Sequence, residues 1–244
     1  LNFSPMDLSE RSMKEIFLPP FRKAVDAGVY SVMAAHNEIN GVPCHMNKYL
    51  MNNILRKELN FKGFIVSDWM DVERIHSLHN VAEDFKQACL FSIDAGLDMN
   101  MHGPYFLEEV LKLINENKIS ESRIDKSIRK ILLAKFKLGL FENPLIDVSK
   151  VKDRIFTEKH QKTSLEVARR SIVLLKNSNK ILPLKNHNKI KILVTGPNAN
   201  NHSLLGDWTK PQPMENVITV YQGIKMIGNN RGIHVDFYDS NSDI

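Results

Sequence analysis

Ser67, Asp68 and Trp69 follow directly on an apolar run, Phe64-Ile65-Val66. β-Branched and aromatic side chains suit a pleated surface, and a short continuous apolar run suits a strand covered on both faces. The polar residues therefore sit at the strand's exit. In parallel α/β architectures ligands bind at the carboxyl ends of the strands, so Asp68, beside an aromatic platform, is the first candidate for chemistry. A second reading of the same residues stays open: Asp68 caps the helix that follows, as Asp often does, and Trp69 fills the rim. His36, with Asn37 and Glu38 behind it, occupies a similar strand exit, where it either donates a hydrogen bond to the site or is a satisfied structural histidine. Glu38 reads as a solvated loop carboxylate.

Other clusters carry weaker chemistry. Asp98 ends a third extended piece, and orientation of that strand end by hydrogen bonding is its expected role; Met99 and Met101 read as packing or rim. His76 and His79, with Asp71 and Glu73 near by, have a spacing compatible with metal ligation. They lie in a stretch without clear helical periodicity, so no metal is expected. Val194 to Asn200 looks superficially like a phosphate-binding turn but lacks the repeated glycines that let backbone approach a pyrophosphate. No nucleotide or other cofactor is expected.

The elements that position these residues alternate. Ser9 to Ala27 has helical spacing, a capping Ser9 and a closing Gly28, with a kink or break expected at Pro19-Pro20. Val29 to Ala35 reads as a strand, Asn40-Gly41 as a turn, Asn47 to Leu59 as a helix, Gly63 to Val66 as a strand, Val81 to Ala95 as a helix and Leu97 to Met101 as an extended piece. Helices over Phe106 to Asn115 and Ser120 to Leu138 follow. Such alternation predicts a parallel sheet with right-handed crossovers. Three strands are too few to close an eight-stranded barrel and would leave open edges, so further strands are expected upstream.

The composition shifts at residues 139–144, Gly-Leu-Phe-Glu-Asn-Pro, where a helix ends and a looser segment begins. The expected organisation is residues 1–140, a linker over 141–160, and a second α/β domain over 161–244. Within the last, Lys159 to Arg170 and Val220 to Ile227 read as helices and Ile172 to Leu175, Ile190 to Thr195 and His234 to Tyr238 as strands. At 244 residues, 43% hydrophobic and 25% charged, the chain has a globular composition. Its formal charge of +5 is scattered, so no nucleic-acid groove is indicated. Two cysteines, Cys44 and Cys89, exclude a disulfide framework. No stretch approaches the roughly 20 apolar residues of a membrane helix, and no membrane partner is expected. The start, Leu1-Asn2-Phe3-Ser4, shows neither an initiator Met nor a signal peptide.

The strings SERSMKEIFLPPF, SVMAAHNEINGVP, GFIVSDW, AGLDMNM, KFKLGLFENP, ARRSIVLLKN and ILVTGPNAN stand in the order and spacing of one family. From about Asp7 to Trp208 the chain resembles glycoside hydrolase family 3. The resemblance implies the C-terminal part of a (β/α)8-type TIM barrel followed by the beginning of an α/β sandwich domain. It also implies retaining hydrolysis of a β-linked oligosaccharide or glycoside by an exo-acting enzyme, a β-glucosidase first and a β-xylosidase next. Asp68 matches the family's nucleophile. Trp69 then offers an apolar face to the sugar, and Met33 and His36 line the pocket, His36 where many members carry Tyr. Trp208 matches a family position and is expected in the sandwich core.

By the same resemblance the acid/base Glu lies beyond Ile244 and the sugar-holding Lys, His and Arg before Leu1, so the isolated chain is expected to be inactive or nearly so. Missing segments or a partner chain are then expected to complete the barrel. Analogy places the protein in the periplasm or outside the cell. One rival is a non-catalytic carbohydrate-binding or assembly protein that retains the fold. Another, a Schiff-base enzyme, lacks the Lys at a strand exit that its chemistry needs.

Overall fold

A computed structural model describes residues 3–184, 190–206 and 208–239. The chain forms two compact units, Leu1–Val151 and Lys152–Ile244, each described by itself.

The first unit opens with β1 (Pro5–Met6) and a helical stretch in three parts: α1 (Glu10–Ser12), a widened turn over Met13–Phe17, and α2 (Leu18–Asp26). The Ser9 hydroxyl caps it by accepting from the Ser12 N–H at 3.1 Å. Pro19 and Pro20 do not break the helix. They fall in the first turn of α2, where no N–H is required. The adjustment comes just before them, where the Leu18 N–H reaches back to Met13 O, a five-residue step.

The strands follow as β2 (Ser31–Met33), β3 (Glu38–Ile39), β4 (Val42–Pro43) and β5 (Phe64–Val66). Asn40-Gly41 turns β3 into β4, and β1 pairs parallel with β3. β2 and β5 run parallel with Ser31, Val32 and Met33 opposite Phe64, Ile65 and Val66. The third expected strand is present as an extended piece bridged to the exit of β5, Val66 to Met99 and Trp69 to His102. Gly63 is required at the entry to β5, because a Cβ there would collide with the Tyr30 carbonyl oxygen.

The intervening helix, Tyr49–Glu58, is also wide: the Leu59 N–H returns to Ile54 O at 2.9 Å. α3 (Asp71–Ser77), in a stretch without clear helical periodicity, comes next, then α4 (Phe85–Ala95), α5 (Phe106–Asn115) and α6 (Glu121–Lys137). α4 starts later than its apolar pattern because Asp84, in extended backbone, caps it through the Gln87 N–H, and Gly96 ends it at φ 117°. Met51, Ile54, Ile65, Val72, Ile93 and Leu113 from these elements share one core.

The second unit contains α7 (Glu158–Ser171), β6 (Lys191–Thr195), α8 (Val220–Asn229) and β7 (His234–Tyr238). β6 and β7 pair in parallel over their whole length, with α8 packed between them in sequence through Tyr221 and Ile224. A capping box, Thr219 with Gln222, starts α8. Two expectations fail here. Ile172 to Leu175 is extended after α7 but belongs to no described strand, and its side chains are exposed: an apolar run specifies extended backbone without supplying a partner ladder. Trp208 is fully exposed rather than in the core. Asp207 lies outside the described residues, as does the end of the chain from residue 240.

Candidate active site

The exit of β5 gathers the polar residues. Ser67 is wholly buried; its hydroxyl donates to Asn100 Oδ1 at 3.0 Å and accepts from the Met101 N–H at 2.8 Å. This stitches the end of β5 to the neighbouring extended piece, so the next residue leaves the sheet in a fixed direction.

Asp68 is held on three sides. Its own N–H donates to His45 Nε2 at 2.9 Å, its Oδ1 accepts from the Trp69 N–H at 2.6 Å, and its Oδ2 lies 3.1 Å from His36 Nε2. The side chain keeps 25% of its surface in solvent, enough for a substrate to reach it. Its side chain does not cap α3, whose N-cap is Met70 at φ 57° with no side-chain cap bond. The capping alternative is therefore set aside by the geometry.

Behind Asp68 stands a second, buried carboxylate. Asp71 Oδ2 lies 2.5 Å from His36 Nδ1, and Asp71 Oδ1 accepts from Arg74 Nη1 at 2.7 Å. Arg74 Nη1 also donates to the Trp69 carbonyl at 2.5 Å, and its guanidinium covers the Phe3 ring at 4.9 Å. His45, almost fully buried, is pushed down to about 4 by burial, against the opposing pull of the Asp71 and Asp68 carboxylates. It is neutral at ordinary pH, consistent with Nε2 accepting from the Asp68 N–H. Its Nδ1 faces Asp71 Oδ2 at 3.5 Å, too far for a strong bond. Burial raises the neighbouring Cys44 thiol to about 11 and Cys89 to about 12, so neither is a thiolate nucleophile.

Trp69 is half exposed and stacks on His102 with ring centroids 3.8 Å apart and 18° between planes. That presents a flat apolar face beside the carboxylate. Met33, opposite Val66 on β2, is 45% exposed. It lines a cavity of about 280 Å³ walled by apolar side chains including Phe17, Phe21, Val32 and Leu50, with the Cys44 thiol as a weak donor for sugar hydroxyls. The polar exit of β5, not this apolar cavity, is the place for polar chemistry.

His36, Asp68 and Asp71 each offer a ligand atom within 4.8 Å of the others. The two carboxylates, however, address opposite nitrogens of one imidazole, and ring nitrogens that diverge do not point at a common ion. His76 and His79 do not converge either: His76 Nδ1 contacts Ala82 O at 3.0 Å, and His79 Nδ1 lies 3.3 Å from Glu38 Oε2. Asp98 is a structural hub whose side chain is wholly buried. It meets Arg56, the Ile65 N–H at 2.9 Å, Ser127 Oγ at 2.8 Å and Lys130 Nζ at 2.9 Å. His45 and Asp71 were not legible as site residues, since their partners lie far away in sequence or behind a helix without clear periodicity.

A parallel α/β layer thus sets at a strand exit a partly exposed carboxylate beside His36, with its backbone N–H held by His45 and an exposed indole next to it. Residues 1–134 match the model of the glycosyl hydrolase family 3 N-terminal domain and residues 172–242 that of its C-terminal domain. The chain belongs to glycosyl hydrolase family 3. It is 41% identical over 235 residues to a β-xylosidase of Formosa agariphila, covering 90% of this chain and 32% of that protein. It is 32% identical to a periplasmic β-glucosidase of Salmonella typhimurium, covering 91% and 30%. The crystal structure of a β-glucosidase from Listeria innocua in complex with glucose superposes with TM-score 0.81 at 32% identity, over 98% of this chain and 32% of that one. The chain thus spans about a third of the length of these relatives.

Proposed function

We propose that this chain carries the nucleophile-bearing part of a retaining, exo-acting β-glycosidase that removes terminal β-D-glucosyl or β-D-xylosyl residues. The observation that carries the reading is Asp68, a partly exposed carboxylate whose two oxygens are separately held beside the exposed Trp69 indole. In the first step Asp68 attacks the anomeric carbon while an acid protonates the departing oxygen; in the second, water displaces Asp68 from the glycosyl-enzyme. Trp69 takes the C–H face of the sugar and His36 borders the same strand exit; Met33, 45% exposed at the end of the neighbouring β2, is proposed as a further sugar contact. A sugar needs no cofactor for this chemistry.

Retaining enzymes place their two carboxyl groups about 5 Å apart, and Asp71 satisfies that distance to Asp68 within the 4.8 Å cluster. It is not the acid, because it is 3% exposed and both its oxygens are taken by Arg74 and His36. Glu38 is engaged with His79. The family resemblance implies a proton donor outside this chain, and we propose that the chain alone is inactive or nearly so. In this reading residues 1–140 are the closing part of a TIM barrel, 141–160 a linker and 161–244 the opening of the α/β sandwich, with further segments or a partner chain completing the barrel. A periplasmic or secreted location is supported by the relative named periplasmic.

Glucose is the sugar the sequence resemblance favours first; the 41% identity to a β-xylosidase supports xylose. The full-length gene product assayed on 4-nitrophenyl β-D-glucoside and β-D-xyloside, with the first-formed anomer read by proton NMR, separates these. Release of the β-anomer from either substrate is expected. Initial release of the α-anomer would overturn the retaining mechanism, and binding without turnover would return the protein to the carbohydrate-binding reading.

A further inference from the structure

We propose that Asp71, braced by Arg74, fixes His36 as the residue that orients Asp68 for attack, so that Asp71 and His36 are positioning residues of the reaction. The inference rests on Asp68 being the nucleophile.

A buried carboxylate is retained only when paired and hydrogen-bonded. Asp71 meets that condition by dividing its oxygens, Oδ1 to Arg74 and Oδ2 to His36. His36 in turn faces a carboxylate at each ring nitrogen, Asp71 at 2.5 Å and Asp68 at 3.1 Å. One imidazole thus bridges the buried carboxylate and the partly exposed one, so the placement of Asp71 sets that of the ring beside Asp68. His45 adds no charge, since its Nε2 accepts from the Asp68 N–H. The same Arg74 nitrogen that holds Asp71 holds the Trp69 carbonyl. The backbone on one side of Asp68 and its carboxylate on the other are therefore tied to one buried anchor. The Phe3 ring closes over it, 5.0 Å from the His36 ring and under Arg74.

This arrangement bears on rate. Attack on an anomeric carbon requires one oxygen to be held within a fraction of an ångström. When water displaces Asp68 in the second step, the carboxylate regains its full charge, and the His36 donor strengthens as that charge develops. A purely structural Asp71, serving only as an acidic residue in the first turn of α3, would have no coupling to His36.

The full-length gene product is compared with His36→Phe, Asp71→Asn and the double variant on a 2,4-dinitrophenyl β-glycoside of the preferred sugar. On such a substrate the leaving group needs little protonation, so kcat reports displacement of Asp68. Loss of a charge-assisted bond predicts a fall in kcat on the order of 10- to 100-fold in each single variant, with KM changed less than about threefold. The double variant should be no slower than the worse single one within about twofold, the mark of residues acting as one unit. Should Asp71→Asn fail to fold by circular dichroism, Arg74→Gln, which loosens the same carboxylate, replaces it in the cycle.

Asp68→Gly with added azide tests the reading beneath. Formation of the α-glycosyl azide identifies Asp68 as the nucleophile; no rescue in a folded variant overturns that reading. Rescue together with multiplicative losses in the double variant, or undiminished kcat in Asp71→Asn, overturns the brace alone.

Discussion

Acidification should loosen the exit of β5 through one residue, His45. Burial lowers its pKa from 6.5 to about 4. Because the folded value is the lower one, the unfolded chain binds the extra proton first, so this contribution is full above about pH 6.5 and is lost as pH falls from there towards 4. The whole effect is roughly 3 kcal/mol, each unit being worth about 1.4. It has a specific structural site: protonated His45 can no longer accept from the Asp68 N–H, and two donors then face each other. The perturbation is His45→Gln, whose side-chain carbonyl can still accept that bond but does not titrate. Hydrogen exchange measured by mass spectrometry over residues 64–70 of the full-length protein, corrected for intrinsic rates, gives the local opening free energy at pH 7 and pH 4.5. The wild type should lose on the order of 2 kcal/mol more than the variant over this interval. Equal losses in the two proteins would refute the assignment of a buried, neutral His45 and of its bond to Asp68.

Further outcomes follow from the same contacts. Asp98→Asn removes the charge that Arg56 and Lys130 share and should cost about 3 kcal/mol or more, seen as faster exchange of the Ile65 amide, which Asp98 accepts. Gly63→Ala pushes a methyl group into the Tyr30 carbonyl and the Phe61 ring; the expected outcome is insoluble protein or a melting temperature lower by several degrees. Trp69→Ala should raise KM with a smaller change in kcat, because the exposed indole contributes binding area rather than charge.

The sequence and the structure agree where a local pattern has a local cause. The apolar run of β5 gives way to Ser67 and Asp68, Ser9 caps its helix, and Asp98 orients a strand end as its position suggests. They part where the cause is distant. His45 sits in an unpatterned Pro-Cys-His-Met stretch, and its partner is the amide of a residue 23 positions later. Asp71 looked like one member of a loose His and acid cluster, because α3 is short and starts after a left-handed Met70 that no propensity announces. The prolines of α2 read as a break, yet a wide turn ahead of them frees the positions they occupy. Ile172 to Leu175 and Trp208 show the converse error: hydrophobicity fixes neither a partner strand nor burial.

The central claim is that Asp68 is the nucleophile of a retaining β-glycosidase. It is tested most directly by incubating the full-length protein with a 2-deoxy-2-fluoro β-glycoside of the preferred sugar, whose glycosyl-enzyme turns over slowly, and mapping the labelled peptide by mass spectrometry. The account predicts one fluorosugar on the peptide containing Ser67-Asp68-Trp69, with fragmentation placing it on Asp68 and activity lost in step with labelling. A label on any other carboxylate, or none on a folded protein that binds the sugar, would contradict it.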